Sequence, residues 1–167
     1  KGKRNKYDFF FFFRNVCFDK PDKKCFYETN VYTEMAEKYD IENKMKEMFS
    51  YPAFEGCDWI TIQGETYGQG VQSRDYSIDY HDFKAFNFIT SKDGRWNSMK
   101  MKVILEFGYA IPCVPIVNDE YILPDTVEEL LNYATGVSSL DGEMREGLVF
   151  RSLDGVKSFK AVSNEFL

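Results

Sequence analysis

The sequence predicts an α+β fold built mainly on antiparallel sheets, with helices flanking them. Strand-like and helix-like segments intermix along the 167 residues without the regular βαβ succession of a parallel sheet. Towards the C-terminus, two strand-like segments flank Leu153-Asp154-Gly155, which is a strong hairpin signal. Since no internal repeat is evident, we expect residues 1–167 to belong to a single domain.

The composition excludes several classes of protein. The chain is 44% hydrophobic and 17% aromatic, which is enough apolar surface to exclude intrinsic disorder. Its longest apolar run, Phe9 to Phe13, is far shorter than the ~20 residues of a membrane span, and no signal-peptide pattern opens the chain. We therefore expect a soluble cytoplasmic protein without a membrane partner. The net charge of -6 also argues against a broad nucleic-acid-binding surface.

The cysteines and the single histidine argue against a zinc site. Cys17, Cys25, Cys57 and Cys113 form no CxxC pair, and His81 is the one histidine of the chain. A chain of this length with an apolar core does not depend on disulfides, so reduced thiols in an intracellular setting are expected.

The first half of the chain predicts two strands and two helices. The five phenylalanines before Arg14 fit a short strand buried on both faces. Asn30 is suited to cap a helix whose apolar residues recur at helical spacing, and Asp40 to cap a second, short helix. WITIQGETYG, at 59–68, alternates and is rich in β-branched and aromatic residues, so a strand is expected there.

The middle of the chain predicts a further strand and a helix. FKAFNFIT, at 83–90, fits a strand that ends at the polar turn 91–94. Residues 98–107 fit a helix, with Gly108 as its C-cap.

A capping pattern marks the last predicted helix. Asp125 and Glu128 resemble a capping box, so the helix is expected to run from there to Ala134. Its apolar spacing predicts that the inward-facing residues are Val127, Leu130, Leu131 and Ala134.

Charged side chains interrupt three strand-like segments, GETYGQGVQ, REGLVFRS and SFKAVS. Glu65 is followed by glycines that let a ligand approach the backbone closely. Glu146 precedes an apolar strand, and Lys160 lies on the strand that returns from the hairpin. Two carboxylates and a lysine on one sheet face can hold a nucleotide phosphate together with a divalent cation.

The hairpin register decides whether Glu146 and Lys160 share a face. A three-residue loop with Gly155 left-handed would place Lys160 opposite Leu148, and Glu146 would then point the same way. A two-residue loop would place Lys160 opposite Val149, away from Glu146. The functional interpretation therefore requires the three-residue loop or an equivalent bulge.

Four segments in a fixed order carry a family resemblance. GExxGxGxQ, DFxxFxxI, EGLVFR and SFKxxS resemble the RNA ligase 2-like family of ATP-dependent RNA ligases, which belong to the covalent nucleotidyltransferases. The resemblance implies a nucleotidyltransferase (ATP-grasp-like) domain that uses ATP with Mg²⁺ or Mn²⁺. It also implies a monomer that joins 5′-phosphate and 3′-hydroxyl RNA ends through adenylylated intermediates.

The resemblance assigns a role to five residues. Arg14 matches the arginine that contacts the ribose and phosphate side of the nucleotide, and Phe86 matches the aromatic residue that stacks on adenine. Glu65 matches the acidic residue that binds the ribose and supports the metal-dependent steps. Glu146 matches a second acidic residue near the metal. Lys160 matches a phosphate-contacting lysine that stabilises the transferring phosphoryl group.

The chain also departs from the family pattern. The nucleophilic lysine of a KxDG motif is expected upstream of Arg14, and no KxDG occurs in the sequence. We therefore expect a catalytic domain that is incomplete at the N-terminus and at the C-terminus, and that forms no lysyl-adenylate. Val162 replaces a second lysine, and Asn87 replaces an aspartate. Lys92-Asp93-Gly94 follows the adenine-stacking strand and is expected to be an ordinary turn.

Other interpretations remain open at this point, including whether the chain is an enzyme. It could be a nucleotide- or RNA-end-binding remnant without catalysis, or another nucleotidyltransferase of the capping or DNA ligase type. Phe86 could pack in the core like most aromatic residues of strands, and Glu146 and Lys160 could form a surface ion pair of little energetic value.

Overall fold

The computed structural model describes residues 8–13, 16–18, 30–71 and 76–166. It confirms the α+β prediction, with antiparallel pairing in every sheet of this part of the chain and short helices between the strands. The elements are β1 (Phe11–Phe13), β2 (Val16–Phe18), α1 (Val31–Lys38), α2 (Ile41–Met48), β3 (Ile60–Gly68), β4 (His81–Thr90), β5 (Gly94–Arg95), α3 (Ser98–Lys102), α4 (Val127–Ala134), β6 (Gly147–Arg151) and β7 (Ser158–Val162).

The N-terminal phenylalanines form a shorter strand than their number suggests. β1 pairs with β2 and begins only at Phe11. Phe10, just before it, is 47% exposed. The prediction of a strand buried on both faces over the whole run is therefore wrong at Phe10.

Both predicted helices of the first half are present, but they begin differently. The Asn30 side chain accepts hydrogen bonds from the backbone N–H groups of Tyr32 and Thr33, both at 3.2 Å, which is the predicted cap of α1. Asp40 precedes α2 in a left-handed conformation, with φ of 49°, and makes no side-chain cap bond. Asp40 thus stands at the predicted N-cap position, but its carboxylate accepts a hydrogen bond from Asn43 Nδ2 at 2.7 Å and bonds no backbone N–H of the helix start.

A hydrophobic core lies on one face of the β3–β4–β5 sheet. Phe88 of β4 contacts Phe54 and Trp96 edge-on, with ring centroids 5.9 and 4.9 Å away. Met48 of α2 and Leu105 are fully buried against the same cluster. The opposite face of this sheet does not take part in this core.

Two helix boundaries differ from the sequence prediction. α3 continues as a π-helical segment, Val103–Gly108, so Gly108 is its last residue and Tyr109 is the C-cap. α4 is capped by Thr126, whose hydroxyl oxygen accepts from the backbone N–H of Glu129 at 3.3 Å, one residue later than the predicted box of Asp125 and Glu128. Ala134 is fully buried, as predicted, whereas Val127 is 71% exposed and does not face inward.

The C-terminal hairpin of β6 and β7 forms as predicted, but in the other register. Lys160 pairs with Val149, whereas the functional interpretation required it to pair with Leu148. Residues 152–157 connect the strands, and Gly155 N–H donates to the carbonyl of Ser152 at 2.9 Å. The predicted three-residue loop is therefore wrong.

Candidate functional site: a cleft between two sheets

The hairpin tip is fastened to the β3–β4–β5 sheet by Arg95 of β5. Its Nε donates to the carbonyl of Gly155 at 2.7 Å, Nη2 to the carbonyl of Val156 at 2.9 Å, and Nη1 to Ser158 Oγ at 3.1 Å. Arg95 pairs with Ile89 across the strands, so both belong to the sheet face opposite the core. The hairpin consequently covers part of that face.

A second arginine joins the two sheets further along. Arg151, at the end of β6, donates from Nη1 to the carbonyl oxygen of Phe86 on β4 at 2.5 Å. In an antiparallel ladder, side chains two residues apart share a face. Val149 and its partner Lys160 therefore share the hairpin face that carries Arg151, and this face is turned towards β4.

A β-bulge in β4 keeps Phe86 out of the core. Gln63 pairs with Asn87 and the next residue, Gly64, pairs with Ala85, so Phe86 is the extra residue of the strand. Ala85 and Phe88 are both fully buried in the core although they lie three residues apart, which a regular strand does not allow. Phe86 and Asn87 between them thus avoid the core, and Phe86 is half-buried outside the core cluster.

The structure brings Glu146 and Lys160 together despite the unexpected register. Lys160 Nζ lies 2.5 Å from Glu146 Oε1, and both side chains are about half exposed. Glu146 precedes β6, and Gly147 after it has a φ of 154°, which interrupts the alternation of side chains. A Cβ at Gly147 would lie 2.0 Å from the carbonyl oxygen of Ala161, so only glycine fits there. The prediction that Glu146 and Lys160 can meet only across a three-residue loop or an equivalent bulge is therefore wrong. It assumed that side chains alternate regularly as far back as Glu146.

Glu65 lies exposed on β3, on the sheet face opposite the core, which the hairpin partly covers. It pairs with Lys84 of β4, and Gln63 two residues before it lines the cleft. The register therefore sets Glu65 and Lys84 near the bulge that carries Phe86.

The cleft between the hairpin tip and the sheet has a volume of about 460 Å³. Asn87 Nδ2 donates to Gln63 Oε1 at 2.6 Å at its floor. Asn87 Oδ1 is buried and has no hydrogen-bond partner among the described residues. Such an orphaned acceptor can take a donor from a ligand or from water. The lining residues are Gln63, Asn87, Ile89, Asp93, Gly94, Arg95, Asp154, Gly155 and Val156.

A carboxylate at the start of β4 ties α1 to the β3–β4 hairpin. Asp82 accepts hydrogen bonds from the hydroxyls of Tyr39 and Tyr67 and from Lys38 Nζ. Burial alone would raise the pKa of Asp82, but these hydrogen bonds more than offset it and hold that pKa below its usual value. Burial and the hydrogen bonds to Asp82 raise the pKa of both tyrosines, which stay protonated donors.

The turn after β4 matches its sequence prediction. Lys92 Nζ donates to the carbonyl of Glu55 at 3.2 Å, and the backbone N–H of Asp93 donates to Thr90 Oγ1 at 3.0 Å. Lys92-Asp93-Gly94 is thus an ordinary turn. Arg14, the fifth predicted site residue, lies outside the described residues.

The described residues offer little for metal or thiol chemistry. No group of three or more His, Cys, Asp and Glu side chains there could by itself hold a metal ion. Cys57 and Cys113 are free and buried, and burial raises the pKa of the Cys113 thiol to about 11, which makes it a poor nucleophile. None of the described helices has the length and apolar character needed to cross a bilayer.

Sequence reasoning missed the residues that assemble the cleft. Arg151 stands at the end of the EGLVFR segment, where its position after an apolar strand was visible but its acceptor, 65 residues earlier, was not. Arg95, and the β4 bulge that carries Phe86, gave no comparable signal. The contribution of these side chains depends on register and on a bulge, neither of which local spacing encodes.

Comparisons with known proteins gave a family and several related structures. A family model described as RNA ligase matches residues 20–162. The RNA ligase of Naegleria gruberi, in a variant with AMP and Mn, superposes with a TM-score of 0.70 at 28% identity over 84% of this chain and 40% of the ligase chain.

Two further structures of that ligase agree. A variant with ATP and Mn gives a TM-score of 0.70 at 27% identity over 83% of this chain and 40% of the ligase chain. The ligase with PPi gives a TM-score of 0.69 at 28% identity over 84% of this chain and 40% of the ligase chain. The chain thus spans about two-fifths of these ligases. No curated protein sequence matched significantly. Since the family model covers most of the sequence and these structures share its fold, the chain belongs to the RNA ligase family.

Proposed function

We propose that the chain is part of the catalytic domain of an ATP-dependent RNA ligase and binds ATP on the facing surfaces of the two sheets. The observation that carries this proposal is the convergence of Glu146 and Lys160, at 2.5 Å, on the hairpin face that Arg151 turns towards Phe86. An aromatic ring freed from the core and an ammonium group beside a carboxylate are suited to a purine base and a phosphate chain.

Each side chain then has a distinct task. Phe86 offers its ring to adenine, and Glu65 binds the ribose. Lys160 exchanges its contact with Glu146 for a phosphate oxygen and stabilises the charge that develops during phosphoryl transfer. Arg14 contacts the ribose and phosphate side. These assignments rest on the family resemblance together with the positions of the described residues.

A divalent cation fits this set of residues. Mg²⁺ is commonly held by one or two carboxylates while phosphate oxygens and water complete its coordination, so a third acidic side chain beside Glu65 and Glu146 is not required. Bound there, the ion would neutralise phosphate charge. Two of the Naegleria ligase structures contain Mn, one with AMP and one with ATP, which supports a site of this kind.

The substrates of the proposed reaction are RNA ends that carry a 5′-phosphate and a 3′-hydroxyl. Within the sequence given, residues 1–167 would supply the nucleotide pocket of a monomeric, intracellular enzyme but not the KxDG lysine. A nucleotide- or RNA-end-binding protein without catalysis is the second candidate, and the missing KxDG favours it for this chain taken alone.

Two lysines of the hairpin provide a matched test. Lys160→Ala is expected to weaken ATP binding in Mg²⁺ by about tenfold or more, because it removes a charge-assisted hydrogen bond. Lys157→Ala removes an exposed lysine from the same hairpin and is expected to change the affinity less than about twofold. Calorimetric titration measures both. Equal effects would leave Glu146 and Lys160 as a surface ion pair and contradict the proposal.

A second experiment on the wild-type chain distinguishes ATP binding from the formation of a covalent adduct. Incubation with labelled ATP and Mg²⁺ should give no stable protein adduct, because the KxDG nucleophile is absent. An adduct on Lys92 or on another lysine would contradict this expectation.

A further inference from the structure

Arg151 contacts the backbone of the residue proposed to stack on the base. Its Nη1 donates to the carbonyl of Phe86, and Phe86 is the extra residue of the β4 bulge. A bulge leaves its extra residue without a cross-strand partner, so its orientation depends on other contacts. The guanidinium supplies one such contact directly.

The surroundings of Arg151 indicate that its main structural role is the hydrogen bond to the carbonyl of Phe86. The side chain is half-buried, and no carboxylate in the described part of the chain forms an ion pair with it. Burial, with repulsion from Arg95, lowers the pKa of Arg151 from its ordinary high value. A desolvated guanidinium without an acidic partner is costly, and the carbonyl of Phe86 is the acceptor that compensates it.

We propose that Arg151 is a positioning residue for base recognition, which holds the β4 bulge so that the Phe86 ring faces the nucleotide. The inference rests on the proposed ATP site and adds to it a residue that touches neither base nor phosphate. Because Arg151 ends the strand that Glu146 precedes, the same hydrogen bond sets the phosphate-binding hairpin at a fixed distance from the base platform.

A double-mutant cycle with two ligands tests this coupling. ATP carries a base, whereas inorganic tripolyphosphate occupies only the phosphate contacts. Phe86→Ala should weaken ATP binding roughly tenfold by removing the stacking partner. Arg151→Met should weaken it by roughly three- to tenfold, and should add less than about twofold in the Phe86→Ala background. Neither change should alter tripolyphosphate affinity.

Two further variants control the measurement. Arg151→Lys keeps a donor and is expected to recover part of the ATP affinity. Arg95→Met loosens the hairpin tip without touching Phe86, so the ratio of ATP to tripolyphosphate affinity should stay at the wild-type value.

The possible outcomes separate the two proposals. Failure of the wild-type chain to bind ATP would overturn the proposed function and this inference with it. If ATP binds, additive effects of Arg151→Met and Phe86→Ala, or an equal loss of tripolyphosphate affinity, would show that Arg151 acts on the whole site, and the positioning role would be wrong. An unchanged ATP affinity in Phe86→Ala would likewise overturn it while leaving the ATP site intact.

Discussion

The β3–β4–β5 sheet and the β6–β7 hairpin are held in place by different forces. The sheet is backed by a buried aromatic cluster around Phe88. One face of the hairpin packs Phe150 against Tyr121, whereas the face turned towards the sheet carries Val149, 54% exposed, and is fastened by hydrogen bonds from Arg95 and Arg151. Burial of apolar surface stabilises a fold strongly and without direction, while hydrogen bonds add little net stability but fix geometry. The core of the sheet therefore provides stability, and the hydrogen bonds between hairpin and sheet set the shape of the cleft.

The strongest test of this comparison removes the centre of the core. Phe88→Ala is expected to lower the free energy of unfolding by about 3–5 kcal/mol, because it leaves a cavity among fully buried neighbours. Leu153→Ala, at the exposed hairpin tip, should change it by less than about 0.5 kcal/mol. Urea denaturation measures both. Similar losses for the two variants would mean that the hairpin tip shares the core's stabilising role.

The elements that build the sheet and its core were predictable from the sequence, whereas the contacts between the hairpin and the sheet were not. The apolar spacing of α1 and α2 and the composition of β3 and β4 are local, so their existence and type were readable. The bulge at Phe86 and the positive φ of Gly147 change the direction of side chains without a local signal. The bond from Arg151 to Phe86 joins positions 65 residues apart, and no periodicity reports it.

A smaller effect is expected at the end of the sheet where Asp82 holds α1. Because its pKa in the folded state lies below the unfolded value of about 3.9, its contribution is fully present above about pH 4 and is lost as pH falls through the folded value. Asp82→Asn should cost about 1.5–3 kcal/mol at pH 7, through loss of hydrogen bonds to a charged acceptor, and should flatten the acid limb of the stability profile.

Chemical denaturation at pH values between 2 and 7, spaced by about one pH unit, gives the free energy of unfolding of Asp82→Asn and of a control variant, Asp119→Asn. Asp119 is exposed, so its replacement should leave the profile of the wild type. An acid limb that persists unchanged in Asp82→Asn would assign the pH dependence to other carboxylates.

The smallest difference is expected between two glycines with the same backbone angle, one of which lies where the hairpin tip meets the sheet. Gly155 and Gly142 both have a φ of 75°, so alanine at either position costs about 1–2 kcal/mol in a left-handed conformation. A Cβ at Gly155 would lie 2.9 Å from the carbonyl oxygen of Arg95, whereas at Gly142 it meets nothing within 4 Å. Gly155→Ala should therefore cost about 1 kcal/mol more than Gly142→Ala. Amide exchange in β6 and β7 locates that extra loss in the hairpin, because a tip that cannot approach β5 also loses the bonds from Arg95. If Gly155→Ala and Gly142→Ala were equally stable and equally protected, close contact at the tip would not be what fastens the hairpin, and Arg151 would have to hold it alone.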